Sequence, residues 1–274
     1  MPELPEVETT RRGIAPHLLG KTIDLVEVRQ RRLRWEVPAL ESLLPGRQVR
    51  QVQRRAKYLL LECADDRQAT GTLLIHLGMS GSLRVLPADT PPQAHDHCDL
   101  VFAEQCLRLR DPRRFGALLW TEGPPQQHPL LRHLGPEPLS SAFDTDYLLQ
   151  QARRRRIPIK QLLMDGKVVV GVGNIYASEA LFLAGIHPRR ACNRIGRERI
   201  GQLVGNVKEV LRRAIELGGT TLRDFQHQDG KPGYFRIELQ VYGREGEPCP
   251  ACGTTIKSIQ LGQRTSSYCP RCQR

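Results

Sequence analysis

Along the first 120 residues, short apolar runs alternate with turn-forming clusters. Residues 22–28, 58–62, 72–76, 82–86, 100–102, 107–110 and 117–120 are each bounded by Gly, Pro, Asp or Arg. Many short strands at close spacing predict a β-sandwich or barrel. Ahead of them Leu4, Val7, Ile14 and Leu18 recur at helical spacing and Gly20 ends the run, so one helix opens the chain. Pro5 is tolerated in its first turn, where the N–H groups lack intrahelical partners anyway. Residues 134–146 are rich in Pro, Ser and Gly and predict a linker. Beyond it the period becomes helical. The clearest helix covers 196–217, apolar at 200, 203, 204, 207, 211, 214 and 215 and closed by Gly218 and Gly219. Shorter helices are predicted over 147–155, 159–164 and 174–184, and a glycine-rich loop over 220–234. The expected domains are 1–133, a linker at 134–146, a helical domain at 147–235 and a hairpin at 236–274.

Composition narrows the class. At 39% hydrophobic and 26% charged residues the chain is globular. No apolar run approaches the roughly 18 residues of a membrane helix, and Glu3, Glu6 and Glu8 speak against a secretory leader. The expectation is a cytoplasmic protein with no membrane partner. Lysine and arginine total 41 against 29 acids, a net charge of +12. Such an excess suggests a polyanionic partner, nucleic acid first; a basic protein without an anionic ligand is the plainer alternative.

Four of the eight cysteines close the chain as Cys249-Pro-Ala-Cys252 and Cys269-Pro-Arg-Cys272. Two C-x-x-C pairs separated by 16 residues fit a four-cysteine zinc site. Four thiolates fill a tetrahedral sphere and leave no place for a substrate, so one structural zinc is expected. A hairpin this small cannot bury a core, and the metal would supply most of its folding free energy, on the order of 10 kcal/mol.

The first residues, Met1-Pro2-Glu3-Leu4-Pro5-Glu6, offer candidate chemistry. Loss of Met1 would expose a secondary amine at Pro2, and α-amino groups titrate near pH 8, so part of it is nucleophilic at neutral pH. Attack on an aldehyde-level carbon gives an iminium ion. Glu3 and Glu6 share one face of the first helical turn, where a carboxylate could relay protons. The same acids would also simply complement a helix dipole.

The opening MPELPEVETTRRG resembles the formamidopyrimidine-DNA glycosylase family, bacterial enzymes that excise oxidised purines. The resemblance continues colinearly through QRRAKYLLLE, HLGMSGSLR, DPRRFGALLW, HLGPEPLS, VVVGVGNIYASEALFLAGIHP, GGTTLRDF, DGKPGYF, ELQVYGREGEPC and the terminal cysteines. Relatives of the endonuclease VIII type, specific for oxidised pyrimidines, usually open Pro-Glu-Gly-Pro; Leu4 points to the purine branch.

The resemblance implies roles at matching positions. Pro2 would attack the sugar C1′, Glu3 would protonate the ring oxygen, and Glu6 would buttress them. Lys57 would serve β-elimination and contact near the lesion, and Arg264 δ-elimination and phosphate clamping; plain phosphate binding is the alternative for both. A base inside a duplex must be everted to be reached, and Met79, Arg113 and Phe115 match the residues that fill the vacated space, apolar wedges beside a donor fork for the orphaned cytosine. Lys160, Asn174 and Tyr242 match phosphate contacts, Arg155 lies in the basic run 153–156, and His95 matches a DNA contact. On residue type alone, His95-Asp96-His97 could equally suggest a metal site or a solvated loop. Gly171-Val172-Gly173-Asn174 places N–H groups at a helix start, where anions are well received. The 218–235 loop would close over an everted purine.

The implied fold is α+β: an N-terminal β-sandwich with flanking helices, then a helix–two-turn–helix domain with a four-cysteine zinc β-hairpin, DNA lying between them. The implied function is a bifunctional glycosylase and abasic-site lyase acting as a monomer on double-stranded DNA containing oxidised bases. The rivals are an endonuclease VIII-like glycosylase and a non-catalytic zinc-hairpin DNA-binding protein.

Overall fold

Residues 2–218 and 239–274 are described by the computed structural model. Residues 2–132 form one unit, and 133–217 with 239–274 a second.

Helix α1 (Leu4–Leu18) opens the first unit, starting with Glu3 as N-cap. The predicted helix is present, and its apolar face, Val7, Ile14 and Leu18, is buried. There follow β1 (Leu25–Val28), a single helical turn α2 (Leu40–Leu43), β2 (Gln48–Arg55), β3 (Tyr58–Ala64), β4 (Thr70–His76), β5 (Ser82–Pro87), β6 (Asp96–Phe102), β7 (Gln105–Arg110) and β8 (Ala117–Thr121). They form two four-stranded sheets, ordered β2-β3-β4-β8 and β1-β6-β7-β5, with every ladder antiparallel. Val49, Leu59, Leu61, Leu73 and Ile75 of one sheet share a buried core with Val26, Leu83, Leu100, Leu107 and Leu109 of the other. The β-sandwich is therefore the architecture.

Strand β2 is absent from the sequence prediction. Its register shifts between Val49 and Gln51. The bulge lets Val49 and Val52, three positions apart, both face the core, and so breaks the alternation by which a half-buried strand is recognised.

The second unit holds α3 (Thr145–Arg153), α4 (Ile159–Met164), α5 (Asn174–Leu183) and α6 (Arg197–Glu216), then β9 (Lys257–Leu261) and β10 (Arg264–Tyr268), paired antiparallel. Helix α6 buries one stripe, Ile200, Leu203, Val204, Val207, Leu211, Ala214 and Ile215, as its period predicts. Helix α5 is buried on nearly all sides and packs against α4, α6 and β10. The predicted loop at 220–234 lies outside the described residues. Among those described, no helix is long and apolar enough to cross a membrane.

Candidate functional site

The site in the first unit follows from how the chain passes between sheets. After β4 it crosses to β5 in the other sheet; after β7 it crosses back to β8. Because β4 pairs with β8 and β5 with β7, the two crossings lie side by side, between the end pairs His76–Ala117 and Ser82–Arg110. Met79 sits on the first crossing, and Arg113 and Phe115 on the second. Tyr58 pairs with His76 in the same end row, so the two-residue turn Ala56–Lys57 between β2 and β3 is at this end too. Helix α1 runs against β2: Arg11 donates to the Val52 carbonyl at 3.3 Å, and Arg54 reaches Glu8 at 3.2 Å. Continuing that direction carries Pro2 and Glu3 toward the Ala56–Lys57 turn.

The helix start is locked by a reciprocal cap. Glu3 N–H donates to Glu6 Oε2 at 2.8 Å, while the Glu3 carboxylate accepts from the Glu6 N–H. Both acids are buried, Glu6 completely, so Glu6 fixes the backbone on which Pro2 and Glu3 are presented. Burial raises the Glu8 carboxyl, but Arg11, Arg12 and Arg54 more than offset this and hold it below the usual carboxylate range.

The Met79 and Arg113–Phe115 turns are welded together. Asp111, fully buried, accepts from Ser80 Oγ at 2.8 Å and from Gly116 N–H at 2.7 Å. Gly78 adopts φ +63°, and a Cβ there would stand 2.4 Å from the Gly116 nitrogen, so only glycine fits. On this frame Phe115 is 44% exposed, with the Arg113 guanidinium 5.0 Å over its ring. His95 adjoins the frame, its carbonyl accepting from Asp111 N–H at 3.0 Å. Asp96, next to it, is committed to Arg84 and Arg108, and the only ligand cluster among the described residues is the four cysteines.

His76 escaped sequence reasoning because a histidine at a strand end carries no periodic signal. Its ring lies 4.8 Å from Tyr58, and Nδ1 accepts from Gly78 N–H at 3.0 Å. Burial, then the charges of Arg34 and Lys57, push it down to about 4, so it is a neutral imidazole at physiological pH.

In the second unit, Asn174 begins α5 after Gly173, and its amide donates to the Thr265 carbonyl at 3.1 Å. Arg264 is the first residue of β10, after the turn at Gly262 and Gln263, and is exposed. Lys160, expected to grip phosphate, is 1% exposed. Its ammonium donates to Ser178 Oγ at 2.8 Å and Ser266 Oγ at 2.9 Å, joining α4, α5 and β10 beneath Arg264. A cavity of about 340 Å³ lies there, lined by Lys160, Gln161, Met164, Arg264 and Ser266 among others. Glu179 was also missed: buried on α5, its carboxylate accepts from the N–H groups of Gln240, Val241 and Tyr242 at 2.7–3.0 Å, fixing the backbone at Tyr242. Arg155, just past the end of α3, folds back on Gln151 of that helix.

The four cysteine sulfurs lie within 4.8 Å of one another, with Cys249–Cys272 at 3.9 Å and Cys252–Cys269 at 3.5 Å. A zinc tetrahedron with bonds of about 2.3 Å needs edges of about 3.8 Å, so these residues fit one zinc. Phe182, Val241 and Ile256 pack around them, and all four positions are protein thiols. The metal is structural.

Three family models match in order: the formamidopyrimidine-DNA glycosylase N-terminal domain over residues 1–118, its H2TH domain over 134–226, and a zinc finger found in FPG and IleRS over 246–274. Formamidopyrimidine-DNA glycosylases of Thioalkalivibrio sulfidiphilus and Methylococcus capsulatus are 58% and 57% identical over the full length of both chains. The MutM (Fpg) protein of Thermus thermophilus superposes with a TM-score of 0.88 at 40% identity, covering 99% of this chain and 98% of that one. Lactococcus lactis Fpg, solved with DNA containing an abasic site, superposes at 0.90 with 36% identity and 99% of each chain covered. Fold and comparisons define a DNA repair glycosylase with a structural zinc hairpin. The chain belongs to the formamidopyrimidine-DNA glycosylase family.

Proposed function

We propose that this chain, as a cytoplasmic, nucleoid-associated monomer, excises oxidised purines (8-oxoguanine and ring-opened purines) from double-stranded DNA and then cleaves the abasic strand. What supports the reading is that the Ala56–Lys57 turn and the crossings carrying Met79, Arg113 and Phe115 share one end of the sandwich, with the start of α1 directed toward it. That is what eversion followed by attack at C1′ requires.

In this mechanism Met1, which lies outside the described residues, is removed; while it is attached, the Pro2 nitrogen is an amide. The wedge fills the space of the everted base, and Arg113 offers its donor fork to the orphaned partner. Pro2 passes its ammonium proton to Glu3 and attacks C1′, and the glycosidic bond breaks with its electron pair leaving on the purine. Glu3 returns the proton to O4′ as the ring opens, and the nitrogen loses its last proton to become an iminium. That charge acidifies C2′, so loss of a C2′ proton expels the 3′ phosphate, and a second elimination expels the 5′ phosphate. Water then hydrolyses the iminium. Lys57 and Arg264 are assigned to those eliminations or to their phosphates; an arginine, with a pKa above 12, suits the phosphate better. Asn174, Tyr242 and Lys160 serve the phosphate grip, His95 contacts the DNA, and Arg155 adds positive charge beside it. The zinc ligands hold the hairpin and supply no step.

Borohydride trapping on an 8-oxoguanine duplex tests this. Wild type should give a covalent adduct, and Pro2→Gly and Glu3→Gln far less. Absence of an adduct with wild type makes the chain a binder rather than an enzyme. Preferential trapping on an oxidised-pyrimidine duplex would move it to the endonuclease VIII type.

A further inference from the structure

The segment after β1 carries four arginines, and they are not equivalent. Arg29 bonds Glu27 and Asp99, each at 2.6 Å, and Arg31 bonds Glu41 at 2.6 Å. Arg32 is exposed, with its backbone N–H held by Gln30. Arg34 is exposed and forms no ion pair with a carboxylate among the described residues. Yet it is held in place. Its backbone N–H donates to the Gly116 carbonyl at 3.0 Å, one residue past Phe115, and its guanidinium stacks 4.7 Å from the centre of the Trp35 ring.

Arg34 therefore stands where the wedge frame meets the end row of the sheet. Its charge is felt by both Tyr58 and His76. The charged groups acting on His76 are Arg34 and Lys57, which oppose its protonation, and Asp111, which favours it. The Asp111 carboxylate is already engaged by Ser80 and Gly116. The free protein thus gathers cationic side chains beside the wedge and leaves Arg34 ordered but unneutralised. A surface held this way is prepared for an anion, and a stacked guanidinium loses little freedom in binding one.

We propose that Arg34 is a DNA-backbone contact, gripping a phosphodiester of the strand next to the inserted wedge. This rests on the glycosylase reading. The ligand is phosphate rather than a base edge, because Arg34 is anchored to the carbonyl beyond Phe115 instead of projecting with it.

The test is the salt dependence of binding to a duplex containing a tetrahydrofuran abasic analogue, for wild type, Arg34→Gln, Arg34→Lys and Arg67→Gln. Arg67 is an exposed arginine of the β3–β4 turn, at the opposite end of the same sheet. Each phosphate neutralised contributes about 0.9 to the slope of log affinity against log salt. Arg34→Gln should lower the slope by about that amount, so its deficit against wild type shrinks about three- to four-fold between 50 and 200 mM salt. Arg34→Lys should keep most of the slope, and Arg67→Gln all of it. A misfolded fraction lowers the active concentration at every salt and leaves the slope alone. An unchanged slope in Arg34→Gln overturns the assignment; wild type without salt-dependent binding overturns the DNA reading itself.

Discussion

The wedge of the first unit and the hairpin of the second each present an arginine from a tight turn, and they hold it by different means. Arg113 rides on a frame made of the fold itself: two adjacent chain crossings, a fully buried Asp111, and backbones too close for any Cβ at Gly78. Arg264 rides on two short strands whose support is borrowed, from four thiols that fit a metal and from the Lys160 ammonium bonded to Ser266. A frame built from the interior fails only with the interior. A borrowed frame can be removed while the rest of the molecule stays folded.

The largest effect should follow from taking the metal away. Cys249→Ser, or a strong chelator, removes on the order of 10 kcal/mol of local folding energy. Affinity for abasic-site DNA should drop at least about a hundredfold, on the scale of losing several phosphate contacts. Thermal unfolding of the sandwich, followed by near-ultraviolet circular dichroism, should barely move. A sandwich that melts together with the hairpin would erase the contrast.

The interior frame is probed next. Asp111→Ala strands the Gly116 N–H in a buried place and should cost about 2–4 kcal/mol. Excision of 8-oxoguanine should slow more than tenfold or so, because the stacked base must be levered out, whereas cutting at a ready-made abasic site should change much less. Equal losses on both substrates would mean that Asp111 supports the fold without positioning the wedge.

A smaller effect concerns pH. Folding depresses the His76 imidazole from about 6.5 to about 4, so the native state favours the neutral ring. That contribution is complete above pH 6.5 and drains away as pH falls toward 4, up to roughly 3 kcal/mol. His76→Gln keeps an acceptor for the Gly78 N–H and should flatten denaturant-measured stability across that window. A variant as acid-sensitive as wild type would clear His76 of the effect.

How much could be read in advance depended on whether the signal was local. Periodicity marked α1, α4 and α6 to within a residue or two, because each buries one stripe of its own sequence. The zinc ligands stood out because metal chemistry fixes both residue type and spacing. Strand β2 was hidden by its bulge. The role of Lys160 was hidden differently: a lysine in a basic chain looks like a surface cation, and only the approach of Ser178 and Ser266, the latter 106 positions away, makes it an internal joint. Asp111, Glu179 and His76 belong to the same group. Each has a partner far off in sequence, Ser80 for Asp111, Gln240–Tyr242 for Glu179 and Tyr58 for His76, brought close only by the fold.

The close approach at Gly78 also bears on how this molecule could be re-engineered. Two loops that touch backbone to backbone cannot lengthen or shift one at a time, so insertions near either should be rejected by any selection for activity. Arg113 and Phe115 are exposed on that shared chassis, with Met79 half-buried beside them. Libraries that vary this end of the sandwich should therefore randomise exposed side chains such as Arg113 and Phe115 and leave Gly78 and Asp111 untouched.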